Sequence, residues 1–366
     1  MNPLRKLQEY GQHVYLDELS RRMLEDGSLA QLISRDGING VTSNPAIFQK
    51  AIADSTDYDT EIARLAAEGK SVDAIYEDLV VSDIQAAADA FRAQYDSSGG
   101  LSGYVSLEVS PLLAADTDGT LAEARHLWQQ LDRPNVFIKV PGTAAGVPAI
   151  RQLTAEGINV NVTLLFGIER YREVALAFIE GLEARLEQGL PLAGVESVAS
   201  FFLSRIDVLI DPQLQELADA GKGAASELKG KVAIANAQAA WLAYREIFEG
   251  ERFGRLAAQG ARPQRLLWAS TGTKDPAYPD TMYVEPLIGN NTINTMPPAT
   301  LDAYRDHGDP ADRLDSGAAA GLEVLAQLKE LGIDLDAAPA QLEPEGVDKF
   351  VTPFDSLMQS IRDQLD

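Results

Sequence analysis

The 366-residue sequence predicts an α/β fold, a closed (β/α)8 barrel of the TIM type built as one domain over residues 1–366. Three observations predict it. Eight short strand-like segments recur along the chain, mostly separated by stretches of helical periodicity. No G-x-G-x-x-G follows any of them, which sets aside the main rival, a doubly wound sheet. Polar or ionisable residues gather at the C-terminal ends of seven strands while the strand bodies stay mostly apolar, as the functional rim of a barrel requires.

Residues 3–10 have the spacing of a short amphipathic helix, and the first strand, 13–17, ends on an acid, Asp17. A helix is expected over 19–34, stopped before Gly37, and a second strand over 38–42, broken by Ser43-Asn44-Pro45. The long stretch that follows carries apolar residues at helical spacing (Ile62, Leu65, Ala66; Ile75, Leu79, Val80; Ile84, Ala87, Ala88, Phe91), so several extra helices follow strand two. The third strand is 103–109. A helix then runs to about Gln130, with Thr120 as its expected N-cap and Glu123 three residues on. The fourth strand, Val136-Phe137-Ile138-Lys139-Val140, is ended by Pro141-Gly142. After a helix near 145–155 comes a fifth strand, 158–164, whose polar and apolar residues alternate. A helix over 168–188 leads to the sixth strand, 194–202, and extra helices near 212–220 and 224–248 lead to the seventh, 265–270. The eighth is expected at 281–287, although 271–280 is too short for an ordinary crossover helix. The tail 290–366, with helices near 300–306, 311–331 and 347–364, is expected as a helical extension packed on the outside of the barrel.

Composition narrows the function. A formal charge of −24 argues against nucleic acid and anionic membranes, which select clustered Lys and Arg. An anionic substrate therefore needs a local cationic pocket set against the global field. The absence of cysteine excludes disulfides and thiol chemistry. No signal-peptide pattern or membrane-length apolar run is seen, so the expected location is the cytoplasm. His13, His126 and His307 show no metal-ligand spacing, and no metal is expected.

Lys139 is the centre of the chemical reading. Burial penalises an ammonium unless it is paired or loses its proton, and an unprotonated lysine attacks ketones to form Schiff bases. The plain alternative is a solvent-facing or edge lysine that blocks aggregation. On strand five, Asn159, Asn161 and Thr163 share one face and Val160, Val162 and Leu164 the other. A polar inner face suggests a wet interior, and a packed polar layer explains it equally well.

The other strand ends supply Asp17, Asn44, Glu108, Thr163, Ser200 with Arg205, and Ser270 with Lys274. Schiff-base chemistry needs acid–base groups and a water near the amine, which Glu108 and Thr163 on the flanking strands can manage. Asp17 suits the sugar hydroxyl proton, and Asn44 suits hydrogen bonds to substrate. Arg205, Ser200, Ser270 and Lys274 fall where many barrels hold phosphate. Singly, Asp17 reads equally as a helix cap, Asn44 as a turn residue and Arg205 as a surface cation; their joint placement carries the weight.

At these residues the chain resembles the class I transaldolases. The motifs are Tyr15-Leu16-Asp17, Gly40-Val41-Thr42-Ser43-Asn44-Pro45, Ser106-Leu107-Glu108-Val109, Ile138-Lys139-Val140-Pro141-Gly142-Thr143 and Asn159-Val160-Asn161-Val162-Thr163-Leu164, in that order. The resemblance implies a barrel with the Schiff-base lysine, Lys139, on strand four, no cofactor, and a place in the pentose phosphate pathway. The implied reaction moves a dihydroxyacetone unit from sedoheptulose 7-phosphate to glyceraldehyde 3-phosphate, giving erythrose 4-phosphate and fructose 6-phosphate. It implies Asp17 as acid/base for C–C cleavage, Glu108 and Thr163 as managers of the water, Asn44 and Ser200 as substrate contacts and Arg205 as the phosphate cation.

The chain departs from the family pattern after strand six. Ser200-Phe201-Phe202-Leu203-Ser204-Arg205 stands where well-known members read Ser-Pro-Phe-Val-Gly-Arg. After strand seven, Ala269-Ser270-Thr271-Gly272-Thr273-Lys274 replaces a segment carrying a second arginine, so Lys274 is the expected cationic substitute. That segment and the long tail resemble the branch sometimes fused to a sugar-phosphate isomerase, although no stretch here is long enough for that second enzyme. Two other functions remain open: an aldolase-type lyase on the same scaffold, releasing free dihydroxyacetone, and a non-catalytic sugar-phosphate-binding barrel. Phe202, where related aldolases tend to carry tyrosine, favours the transferase. A monomer and a homodimer both suit the sequence.

Overall fold

Eight parallel strands close on themselves in chain order in the computed structural model, which describes residues 2–365. They are β1 (Gln12–Leu16), β2 (Gly40–Thr42), β3 (Tyr104–Glu108), β4 (Val136–Pro141), β5 (Val160–Leu165), β6 (Ser197–Phe202), β7 (Arg265–Ala269) and β8 (Thr292–Met296). Each pairs with the next, and β8 returns to β1 from Gln12↔Thr292 to Leu16↔Met296. Parallel neighbours need crossovers, and these carry the helices to the outside. Between sheet and helices lies an apolar layer: on β6, Phe201 meets Trp268 of β7 and Tyr171 of the helix Ile168–Glu187, both edge-on. Each ring buried there contributes about 1.5–3 kcal/mol relative to exposure. Gly40 is glycine for a local reason, because a Cβ would come within 2.4 Å of the Tyr104 carbonyl and 2.8 Å of the Tyr15 ring.

The extra helices after β2 are Pro45–Ala53, Asp59–Ala67 and Val72–Ser97. The first begins where the sequence breaks: the Asn44 side chain accepts from Ile47 N, and Pro45 occupies the first turn, where its missing N–H costs nothing. After β6 come Ser204–Asp219, Gly223–Leu228, Val232–Phe248 and Glu251–Ala257.

Several expectations are corrected. The helix expected over 19–34 is split at Gly27, which adopts φ 78°, into Arg21–Glu25 and Ser28–Gln31, followed by a wider turn, Leu32–Asp36. The helix Thr117–Leu131 is capped by Asp116, which accepts from Gly119 N; the Thr120 hydroxyl instead donates to Leu113 O, and Glu123 accepts from Ser110 N. The eighth strand is not 281–287 but Thr292–Met296, so it lies inside the tail predicted as an outer extension from 290. Residues 281–287 form turns and a 3-10 turn, Glu285–Leu287, whose apolar side chains Tyr283, Val284 and Leu287 are buried. This loop covers the barrel where a crossover helix would lie. Its carbonyls accept from the strands beneath: Tyr283 O from Asn294, Leu287 O from Trp268 and Gln12, and Gly289 O from Thr292.

The tail helices are Pro298–His307, Leu314–Glu330 and Ala338–Asp363. Gly317 and Gly321 let Leu314–Glu330 approach Gln238 on Val232–Phe248, since a Cβ at either would fall within 2.4 Å of that side chain. The last helix does not stay outside. It crosses the C-terminal ends of the strands, where Phe350 lines a cavity together with Lys139. No described helix is long and apolar enough to cross a membrane.

Candidate active site

Register brings the chemistry together. β3 and β4 align Glu108 with Lys139, and β4 and β5 align Lys139 with Asn161. Aligned residues on neighbouring strands lie about 5 Å apart and point to the same face, so side chains of opposite charge meet directly. Lys139 is 4 % exposed, and its Nζ donates to Glu108 Oε2 at 2.9 Å and to Ser43 O at 3.0 Å. Burial pushes the Glu108 carboxyl up, while the Lys139 charge pulls it back. Phe350 lies over Nζ, with its ring centroid 5.6 Å away.

All the expected site residues except Glu108 line one cavity of about 140 Å3: Asp17, Asn44, Lys139, Thr163, Ser200, Arg205, Ser270 and Lys274. Glu108 lines a neighbouring cavity and reaches Lys139 through the ion pair. Asp17, just past β1, is half-buried and accepts from Thr42 Oγ1 at 2.6 Å; Thr42 in turn meets Thr295 Oγ1 at 2.6 Å. Burial raises the Asp17 pKa, against the Thr42 hydrogen bond and the charges of Lys139 and Lys274. Asn44 spends its side-chain oxygen on the helix cap, which leaves its amide nitrogen for a ligand.

Thr163 has a buried hydroxyl without a protein partner. It precedes Leu164, where φ is 60° and the register of β5 against β6 shifts. Left-handed backbone at a branched residue costs about 1–3 kcal/mol and concentrates at functional sites. Strict alternation predicts Leu164 on the outer face; the shift instead turns it toward Gly346 of the last helix, and Leu165 packs outward beside Val162 against Gly142.

Ser200 donates to Asn161 Oδ1 at 2.7 Å, and Asn161 donates to Ser106, forming a fully buried polar chain across β6, β5 and β3. Ser270, at φ 56°, shares a hydrogen bond with Ser204. Both serine hydroxyls are thus already engaged. Arg205 is different. Its Nη1 is buried without a partner, and its guanidinium lies 5.2 Å from the Phe202 ring and 5.9 Å from that of Phe350. Lys274 stands exposed at the rim. Lys139, Arg205 and Lys274 therefore concentrate positive charge in a chain of net charge −24, which suits an anionic ligand.

Sequence reasoning missed Thr42, Ser43, Asn161 and Ser106 as hydrogen-bond partners in the network around Asp17, Lys139 and Ser200, although all four lie inside the motifs that it singled out. It had no signal for Phe350, whose helix spacing reads as ordinary core, nor for Gly346, where a Cβ would stand 3.2 Å from Arg205 Nη1.

Residues 14–361 match the family described as Transaldolase/Fructose-6-phosphate aldolase. The chain is 50% identical over 364 residues to the transaldolase of Saccharopolyspora erythraea, covering 99% of this chain and 98% of that one. It is 49% identical over 361 residues to the transaldolase of Thiobacillus denitrificans, covering 99% of this chain and 100% of that one. To the transaldolase of Mycolicibacterium smegmatis it is 47% identical over 367 residues, covering 100% of this chain and 98% of that one. The chain belongs to the transaldolase/fructose-6-phosphate aldolase family.

Proposed function

We propose that the chain is a transaldolase that works through a Schiff base on Lys139. It moves a dihydroxyacetone unit from sedoheptulose 7-phosphate to glyceraldehyde 3-phosphate, as a step of the pentose phosphate pathway in the cytoplasm. The observation that carries the reading is the buried ion pair of Lys139 with Glu108 beside a cavity rich in cations.

Burial raises the Glu108 carboxyl, which suits it to take the proton of Nζ across their hydrogen bond. The free amine then adds to the ketone of the donor sugar. Glu108 returns its proton to the carbinolamine hydroxyl, which leaves as water while the nitrogen lone pair forms the C=N bond. Asp17 takes the proton of the hydroxyl adjoining the scissile bond, and the electrons of that C–C bond flow into the iminium. An aldose phosphate departs and a three-carbon enamine stays on Lys139. The same steps in reverse attach the enamine to the acceptor and release the new ketose. Burial suits Asp17 to this work by raising its pKa toward the range where it exchanges protons readily. Arg205 and Lys274 hold the phosphate, Asn44 a sugar hydroxyl.

The family is one of enzymes, which sets aside the non-catalytic binder. Against the lyase reading stands Phe202, which offers no hydroxyl to orient a water and packs on Phe166 and Arg205. Borohydride reduction with fructose 6-phosphate, followed by peptide mapping, tests the proposal. A reduced three-carbon adduct on Lys139 is expected; an unmodified Lys139, under conditions that trap a control enzyme, would remove it.

A further inference from the structure

Glu108 stands in the wall between two cavities. The sugar-facing cavity is lined by Lys139 and does not include Glu108. The second, of about 230 Å3, is lined by Glu108 and does not include Lys139; only Asn44 lines both. Its two oxygens are engaged differently. Oε2 accepts from Lys139 at 2.9 Å, whereas Oε1 is buried without a protein partner. A carboxylate oxygen left unpartnered in the interior is costly, so a small polar molecule belongs there.

The second cavity lies among the helices Val72–Ser97, Thr117–Leu131 and Ala338–Asp363 and the loop after β3. Along it, polar groups grade from buried to exposed. Tyr76 and Glu123 are half-buried, and burial, then the charges of Glu123 and Glu108, raise the Tyr76 phenol. Glu123 keeps one oxygen on Ser110 N, and Asp73 and Leu112 are exposed at the outer edge. On the sugar side the Phe350 ring centroid lies 5.6 Å from Nζ, and under the proposed function the substrate fills the rest of that cavity. Yet each Schiff base releases one water when it forms and consumes one when it is hydrolysed.

We infer that the second cavity is a water and proton port for the Schiff-base step, separate from the opening that the sugar uses; this rests on Lys139 being the Schiff-base lysine. When the imine forms, the carbinolamine hydroxyl takes the proton of Glu108 and leaves as water through the port. When it is hydrolysed, water enters there and gives a proton to Glu108 as its oxygen bonds to the imine carbon.

The port is tested with fructose 6-phosphate carrying heavy oxygen at its ketone, since loss of the label to water reports imine formation and hydrolysis without requiring C–C cleavage. Leu112→Trp and Met358→Trp plug the cavity from two walls, and Leu112 is 60% exposed, so added bulk there does not strain the core. Both plugged enzymes should lose label about tenfold more slowly than wild type, a modest share of what acid–base assistance contributes, with KM for the sugar unchanged. Met358→Ala, which widens the cavity, should lose label at least as fast as wild type. Folded plugged variants that exchange at the wild-type rate overturn the port. A different failure, in which wild type turns over without accelerating label loss, or Lys139→Ala still accelerates it, overturns the Schiff-base reading instead.

Discussion

Among the described residues two cations are buried in this barrel, one toward each end, and their surroundings differ. Lys139, near the C-terminal end of β4, touches a carboxylate that burial pushes up, and a cavity lies on either side of the pair. Arg265, the first residue of β7, is 6 % exposed and donates to His13 Nδ1 at 3.1 Å. Burial, then the arginine charge, hold His13 down at about 3, so it is a neutral acceptor. Burial likewise pushes the neighbouring Tyr15 phenol up to about 12. Burial raises the Glu196 carboxyl against the charges of Arg265 and Arg262, and it accepts from Arg262 at 3.0 Å. At the floor His13 and Tyr15 stay neutral over ordinary pH, and Glu196 is a buried carboxyl tied to Arg262. At the mouth the carboxyls are likewise raised by burial, but Glu108 and Lys139 each line a cavity. Under the proposed function, what separates the reactive charge from the structural one is the open space beside it, since both have a carboxyl that burial raises close by.

The contrast breaks most sharply at Lys139. Lys139→Met should lower turnover on the order of 10⁴-fold or more, the scale on which a covalent nucleophile counts, while circular dichroism shows the fold kept. Measurable transfer by that variant would erase the difference between the two ends.

Arg205 sharpens it next. Its guanidinium has a buried nitrogen with no protein partner, so Arg205→Ala should weaken transition-state and substrate binding by about 2–4 kcal/mol, seen mainly as a raised KM for phosphorylated sugars. An unchanged KM for fructose 6-phosphate would show the phosphate to be held elsewhere.

At the floor the reverse is expected. Arg265→Ala should cost about 2–4 kcal/mol of stability in urea unfolding, through a cavity and stranded partners, with kcat and KM kept. A folded variant without activity would make the floor part of the catalytic machinery.

The smallest effect is on pH. Thr42 holds the Asp17 pKa down against burial. Thr42→Val should therefore raise it, and since the proposed base role needs Asp17 ionised, the acid limb of kcat/KM should move to higher pH by less than about one pH unit. The stability sign is consistent: a carboxyl whose folded pKa lies above its unfolded value loses stability as pH rises from the unfolded value through the folded one, and the valine variant should lose more. An acid limb that stays in place, or moves down, would free Asp17 from the base role.

Much of this was legible in the chain before folding. The Val136–Pro141 strand ends at Pro141-Gly142, and Asn44-Pro45 announces a helix start, because a restricted φ and a capping oxygen act within a few residues. The eighth strand was not legible. Its polar residues Thr292 and Asn294 bond to loop carbonyls rather than packing under an apolar helix, so the pattern of a buried parallel strand is absent. The 281–287 segment misled for the complementary reason: Tyr283, Val284 and Leu287 are apolar because the loop itself covers the barrel.

The sequence by itself determined which segments become β1 to β7 and which residues can carry amine chemistry, because periodicity, breakers and side-chain type are properties of neighbours along the chain. Tertiary structure alone decided which strand closes the ring, that Phe350 and Gly346 come to rest at Lys139 and Arg205, and that Glu108 faces a different cavity from the lysine it pairs with. Those outcomes depend on contacts such as Gln12 with the Leu287 carbonyl, 275 residues apart, which form only when closure brings distant segments together and no local pattern can encode them.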